Sequence, residues 1–229
     1  METEQYVTAE EICVKRRPAE FLAWVEAKFD EIARKPGGRD AIRFRKGLCK
    51  VLVEEVYAMS IWAGHLFSKH DPVLLEPVLG NQNYDALVAD LSSSPAVIRR
   101  LEITQAHEGE AAYLRNLMLC RDGWAWGSAK LEKKGTKRTG IQIVLTAYDE
   151  HASKALRLIR NAIKKKSKRH YLDDTDLLVM FEDSVIVRDS PIIESLNALF
   201  DEEITQMKLP FSRIYFTGWS TQTFLARNT

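Results

Sequence analysis

Two acidic residues stand inside short apolar segments, where an acid is expensive to keep. Asp85 lies in Tyr-Asp-Ala-Leu-Val-Ala-Asp over 84–90, and Glu102 in Val-Ile-Arg-Arg-Leu-Glu-Ile-Thr-Gln-Ala over 97–106. Both segments have strand length and strand composition. Successive side chains of a strand point to opposite faces, so Glu102 shares one face with Thr104, while Leu101, Ile103 and Gln105 share the other. By the same alternation Asp85 and Leu87 lie opposite Tyr84, Ala86 and Val88. If the two segments pair, the carboxylates converge at one end of a sheet. Two such carboxylates suit Mg²⁺ or Mn²⁺, which take hard oxygen ligands and keep several waters. A metal there lowers the pKa of bound water and screens the charge of a phosphodiester. The plainer reading is that Asp85 closes the turn 80–83 and that Glu102 faces solvent, paired with Arg99 or Arg100. Burying either acid without a partner is costly.

A third acid is supplied by the helix predicted over 40–65, in which Phe44, Leu48, Val51, Leu52, Met59 and Trp62 recur at helical spacing. Glu55 follows Leu48 by two helical turns and is read on that apolar face, with Glu54 to its side.

The order of these parts is an inward Glu55 on a helix, a strand, Asp85, then Glu102-Ile103-Thr104, then further helices and a buried strand. Over about 44–181 it resembles the PD-(D/E)xK nuclease superfamily. The resemblance implies a restriction-endonuclease-like mixed β-sheet flanked by helices and a metal-dependent phosphodiesterase acting on DNA. It also implies Asp85 and Glu102 as ligands of Mg²⁺ or Mn²⁺, with Glu55 as a further ligand, direct or through water. One departure is chemical. The lysine expected two residues after the second acid, which helps activate the attacking water or stabilises developing charge, is Thr104 here. Gln105 next to it points to the other face unless the strand bulges. A replacement cation is available in Lys166, which continues the Ala155–Ile159–Ala162 face of the helix predicted over 152–170. Thr104 also favours an alternative: the same fold without catalysis, binding DNA or protein.

The net charge is +1, so a case for nucleic acid rests on where charges sit. Lys164, Lys165, Lys168 and Arg169 crowd the end of the helix over 152–170, and Lys133, Lys134, Lys137 and Arg138 lie in or beside a polar loop between two predicted strands, 124–131 and 141–148. Such a helix end and hairpin loop can neutralise phosphates and position a duplex; a helix C-terminus also favours cations through its dipole alone. The loop Gly135 to Gly140 fails the Walker pattern, because Ile141 follows Gly140. His107 follows the Glu102 strand and is read as a cap or surface residue. Cys13, Cys49 and Cys120 are read as small core residues with no C-x-x-C pair, which argues against disulfides and zinc and for a reducing, cytoplasmic location.

The remaining elements complete an α/β pattern. Thr8 to Glu11 reads as a capping box, and Pro18 as the first residue of a helix ended by Pro36-Gly37-Gly38. Residues 1–38 are read as an N-terminal helical extension and 39–229 as the nuclease-like domain. An edge strand is predicted over 74–79, an amphipathic helix over 108–121, a strand buried on both faces over 176–181, a helix from 190, and strands over 212–217 and 221–226. No apolar stretch is long enough for a membrane span, and helices alternating with strands favour a layered α/β fold with a mixed sheet.

Overall fold

The computed structural model of the chain describes residues 6–125, 130–133, 141–144, 148–183 and 192–229. Five described α-helical segments precede the first strand, the first four being α1 (Ala9–Ile12), α2 (Pro18–Arg34), α3 (Gly38–Arg43) and α4 (Cys49–Val51). A π turn over Leu52–Val56 joins α4 to α5 (Tyr57–Leu66) without leaving helical backbone. The strands β1 (Val73–Pro77), β2 (Ala86–Asp90) and β3 (Val97–Ala106) follow, then α6 (Gly109–Asp122), β4 (Lys130–Lys133), β5 (Ile141–Val144), α7 (Tyr148–Lys166), β6 (Thr175–Phe181), α8 (Ile192–Leu199), β7 (Arg213–Gly218) and β8 (Phe224–Asn228).

One mixed, open, six-stranded sheet runs in the order β1-β2-β3-β6-β7-β8, and β4 and β5 form a separate antiparallel pair. The central strands β3, β6 and β7 are parallel, and β1, β2 and β8 are antiparallel to their neighbours. Parallel neighbours need a long crossover, and α6, the β4–β5 pair and α7 supply it between β3 and β6. The run Thr-Asp-Leu-Leu-Val-Met-Phe of β6 is buried at every position, as expected of a strand covered on both faces. Leu178 and Met180 enter one core with α2, α5 and β1–β3. Leu177, Val179 and Phe181 enter a second with α7, α8, Ile214 and Phe216.

The N-terminal helices belong to the first of these cores. Val7, Ile12, Phe21, Val25 and Ile32 pack in it beside Trp62, Leu75 and Tyr215, and Arg16 bridges to Leu75 through paired backbone bonds of 2.9 Å. Residues 1–38, read from sequence as an extension, therefore share a core with the sheet wherever they are described. The capping box is formed, with Glu11 N–H donating to Thr8 Oγ1 at 3.1 Å and Thr8 N–H to Glu11 Oε2 at 2.9 Å, and Pro18 opens α2.

The single helix expected over 40–65 is broken. Helix α3 ends at Arg43, and both Arg45 and Gly47 take left-handed backbone, φ 52° each. The Gly47 angle comes without steric penalty. At Arg45 it costs on the order of 1 kcal/mol, and the turn aims the Arg45 side chain back at Glu54 and His107. The π turn then inserts one residue into the helical repeat around Glu54 and Glu55, so the two-turn count from Leu48 does not hold for Glu55.

Candidate active site

Strand β2 starts its backbone pairing with β3 at Ala86 opposite Leu101. The residue before it, Asp85, keeps hold of β3 with both backbone and side chain. Its N–H donates to Leu101 O at 2.8 Å, and its Oδ2 accepts the Ile103 N–H at 2.6 Å. The carboxylate thus satisfies a backbone donor at the point where the ladder ends. Ala86 and Leu101 both enter the α5-side core, so the next positions outward, Asp85 and Glu102, lie on the opposite face, the one covered by α7.

Glu102 is 2% exposed, which rules out the solvent-facing reading. Its expected surface partners are engaged elsewhere: Arg99 contacts Asp176 at 3.4 Å and Arg100 pairs with Asp174. The Glu102 carboxylate instead forms an ion pair with Lys166 Nζ from the last residue of α7. Tyr171 Oη donates to the same oxygen at 3.3 Å, and Arg169 Nη1 lies 4.0 Å from it. Helix α7 brings Ile159 and Ile163 into the core beneath, and this packing fixes the height at which Lys166 meets β3.

Glu55 reaches the same neighbourhood from the π turn. Burial, followed by repulsion from Asp85 and Glu54, raises its carboxyl to about 7, with Glu102 adding to the rise and Lys166 opposing it. Burial and the Glu102 charge likewise raise Asp85 to about 6, against the pull of the Ile103 N–H, Lys166 and Arg169. Burial and Glu102 push the Tyr171 hydroxyl up as well, keeping it a donor.

Glu55 and Asp85, each raised in part by a neighbouring acid, stand with Glu102 in a site that a cation would relieve. The donors are carboxylate oxygens, the chemistry Mg²⁺ and Mn²⁺ prefer. Asp85 and Glu102 share one face of the sheet, and Glu55 is close enough to feel the charge of both. Among the described residues no three His, Cys, Asp or Glu side chains close up as a ready-made coordinating group. Lys166 holds the counter-charge position on Glu102.

The other residues singled out from sequence separate into two groups. The β3–β6 register runs unbroken from Arg100 to Ala106, so no bulge turns Gln105 toward the acids. Gln105 lies on the α5 side and donates to the Glu54 carbonyl of the π turn. Thr104 keeps the face of Glu102. His107 is bound to Arg45 at 2.7 Å, away from the acids, and burial and the Arg45 charge lower its pKa. Lys164, Lys165, Lys168 and Arg169 are exposed around the end of α7. Lys133 ends β4 opposite Ile141, and Lys134, Lys137 and Arg138 lie outside the described residues. Of the cysteines, Cys49 is buried and Cys13 half-buried, but Cys120 is exposed, against Asp40 and Arg43. Sequence reasoning missed Tyr171, which no spacing rule marks, and the Asp85 bond to Ile103.

A cavity of about 410 Å³ lies at the other end of β3, between α3, α6 and the start of α7, lined by Arg45, His107, Arg115 and Lys154 among others; Asp85, Glu102 and Lys166 are not in its wall. A second, of about 320 Å³, lies beside the acids and includes Tyr171, Arg100 and Tyr84. The smaller one shares Tyr171 with Glu102. No protein-family model, no curated protein and no solved structure matches this chain. Among the described residues no helix is long and apolar enough to cross a membrane.

Proposed function

We propose that the chain is a metal-dependent nuclease of the PD-(D/E)xK type, with a restriction-endonuclease-like sheet and its lysine supplied by α7 instead of by β3. The observation that carries this reading is the ion pair between Lys166 and Glu102 on the face that also holds Asp85. The cation missing at Thr104 is restored in space from a residue distant in sequence. Asp85 and Glu102 would hold Mg²⁺ or Mn²⁺, which supplies an acidified water and screens the phosphate.

The chain's own residues divide the remaining work. Glu55, its carboxyl raised to about 7 by burial and the neighbouring acids, is suited to take the proton from the attacking water. That water's oxygen then bonds to phosphorus, the bond to the leaving oxygen breaks, and solvent water protonates the leaving group. Lys166 stabilises negative charge growing on the phosphate oxygens. Tyr171 and Arg169 keep the Glu102 carboxylate oriented. Exposed Lys164, Lys165 and Lys168 hold flanking phosphates.

The test is cleavage of supercoiled plasmid and of short single strands with Mn²⁺. Loss of nicking in both Asp85→Asn and Glu102→Gln, with folding intact, supports the assignment. Equal cleavage by these variants discards it.

A second reading follows from the same ion pair. A lysine directly on Glu102 also neutralises a buried acid without any metal, as a catalytically inactive nucleic-acid- or protein-binding module would need. Calorimetry with Mn²⁺ separates the two: no heat of binding, with salt-sensitive DNA affinity, selects the inactive module.

A further inference from the structure

Two polar atoms near the acids, Thr175 Oγ1 and Arg100 Nε, are buried and have no hydrogen-bond partner among the described residues. Thr175 is 0% exposed. Buried polar atoms are nearly always satisfied, so an orphan calls for an explanation. Here both residues line the same cavity, of about 320 Å³. They are register partners on β3 and β6 and project to the face of Glu102. Arg100 and Glu102 are two positions apart on one strand, about 7 Å.

The rest of the wall is Asn83, Tyr84, His170, Tyr171 and Leu172. Tyr84, adjacent to Asp85, lines the cavity and carries the Arg100 guanidinium 5.7 Å from its ring centroid. Tyr171, which bonds Glu102, lines it too. Leu172, 57% exposed, stands in the same wall as a large apolar side chain in water.

We propose that this cavity receives an unpaired nucleobase of the strand being cut, so that the substrate is a single strand or an unpaired arm rather than a closed duplex; the proposal rests on the nuclease reading of the adjacent acids. Its size is at the low end of small-ligand sites, roughly 300–1,000 Å³. A base is a flat body with donors and acceptors on its edge. Tyr84 and Tyr171, the latter backed by Phe211 at 4.7 Å between ring centroids, put two rings in the wall, and stacking on aromatic rings is the usual grip on single strands. The Thr175 hydroxyl offers both a donor and an acceptor, and Arg100 Nε a donor. A paired base has its edge and faces already occupied and enters only after extrusion.

The experiment uses the full chain in two arms. In the first, the Asp85→Asn variant without metal is titrated into a 2-aminopurine-containing single strand and into the same strand in duplex. The expected result is a fluorescence change with the single strand and affinity at least tenfold above that for the duplex. Tyr84→Ala, and separately Thr175→Val, lower single-strand affinity about tenfold and leave duplex affinity within about twofold; Tyr84→Phe restores it. Melting curves check that each variant folds, and half-buried Tyr84 carries the test if Thr175→Val does not. In the second arm, wild-type protein with Mn²⁺ is given both substrates, with single strands cut at least tenfold faster. Duplex cut as fast as single strand, with both variants indifferent, overturns the base pocket and leaves the nuclease reading standing. A stacking signal that responds to the variants, without cleavage of any substrate, supports the pocket and removes the nuclease. No affinity for single strands overturns the pocket outright.

Discussion

Lys166 and Glu102 are 64 residues apart in sequence and in direct ion-pair contact in the fold, one ending α7 and the other in the middle of β3. Glu102 is 3% exposed at its side chain and Lys166 15%, so this is a pair largely withdrawn from water. Removing one member of such a pair costs roughly 3–5 kcal/mol when nothing replaces it. Tyr171 and Arg169 remain near Glu102, which puts Lys166→Met at about 2–3 kcal/mol. Lys166→Arg keeps the charge and recovers at least half of that loss. Urea denaturation at pH 7.5 measures both. Cleavage is lost in Lys166→Met, and an unchanged denaturation midpoint in that variant would show that the ion pair does not hold in solution.

The raised carboxyls make a pH prediction with a definite sign. A group whose folded pKa lies above its unfolded one binds more protons when folded, so stability is fully present at low pH and is lost as pH rises through the folded value. For Glu55, raised from 4.5 to about 7, the window is roughly pH 4.5–7; for Asp85, raised from 3.8 to about 6, it is roughly pH 4–6. Glu55→Gln removes the cost of charging this site. It is therefore more stable than wild type at pH 8 by about 2–3 kcal/mol and close to equal at pH 4.5. Melting temperatures across this range measure the difference, and parallel curves for the two proteins would sink the claim.

How much of this was legible beforehand can be followed through individual residues. Strand β3 matches its reading at both ends, because alternation over ten residues leaves one register and one pair of faces. The opposition of Asp85 and Glu102 follows from that register once β2 pairs beside it. Lys166 was reachable too, since helical periodicity fixed its face. The break at Arg45 was not, because Phe44 and Leu48 keep helical spacing across it and only Gly47 hints at a turn. Glu55 was assigned by counting two turns from Leu48, but Leu48 precedes the helix and the π turn adds a residue. It comes near the acids for a different reason: Gln105 anchors the π turn through the Glu54 carbonyl. Contacts made by side chain to distant backbone, such as Asp85 to Ile103, leave no periodic trace.

That last contact decides how Asp85 should be tested. Asp85→Ala takes away the acceptor of the Ile103 N–H and leaves the donor unpaired, a loss of about 1–3 kcal/mol. Asp85→Asn retains an acceptor oxygen while removing the charge that Glu102 repels. The expected order of stability at pH 7.5 is Asp85→Asn at or above wild type, then wild type, then Asp85→Ala. Guanidinium titration gives the order, and Asp85→Ala matching Asp85→Asn would refute the role assigned to this bond.

If a divalent ion binds between Asp85 and Glu102, it must displace protons to do so. Mn²⁺ at about 100 times its dissociation constant then raises stability by about 2.7 kcal/mol. At one fixed Mn²⁺ concentration the gain is larger at pH 8 than at pH 5, where Asp85 and Glu55 hold their protons and the dissociation constant is higher. Glu102→Gln and Asp85→Asn remove most of it. Melting temperature with and without Mn²⁺ at the two pH values provides the measurement, and a shift that is independent of pH, or of both variants, would place the ion elsewhere.

Lys164, Lys165 and Lys168 are exposed around the C-terminal end of α7, just beyond the residues that hold Glu102. Their cost to the fold and their value to binding can be separated. Replacing all three by Gln removes favourable contacts with the helix dipole worth a few tenths of a kcal/mol each, so the melting temperature falls by only a few degrees. If they track the backbone of a bound strand, the same triple variant lowers the slope of log affinity against log salt by about 2, at roughly 0.7 per phosphate contact on single strands. Arg169 is left in place, because it also neighbours Glu102 and its loss would confound binding with site geometry. Anisotropy titrations between about 50 and 200 mM salt resolve such a change. A slope that stays the same would mean that these lysines serve the helix and not a nucleic acid.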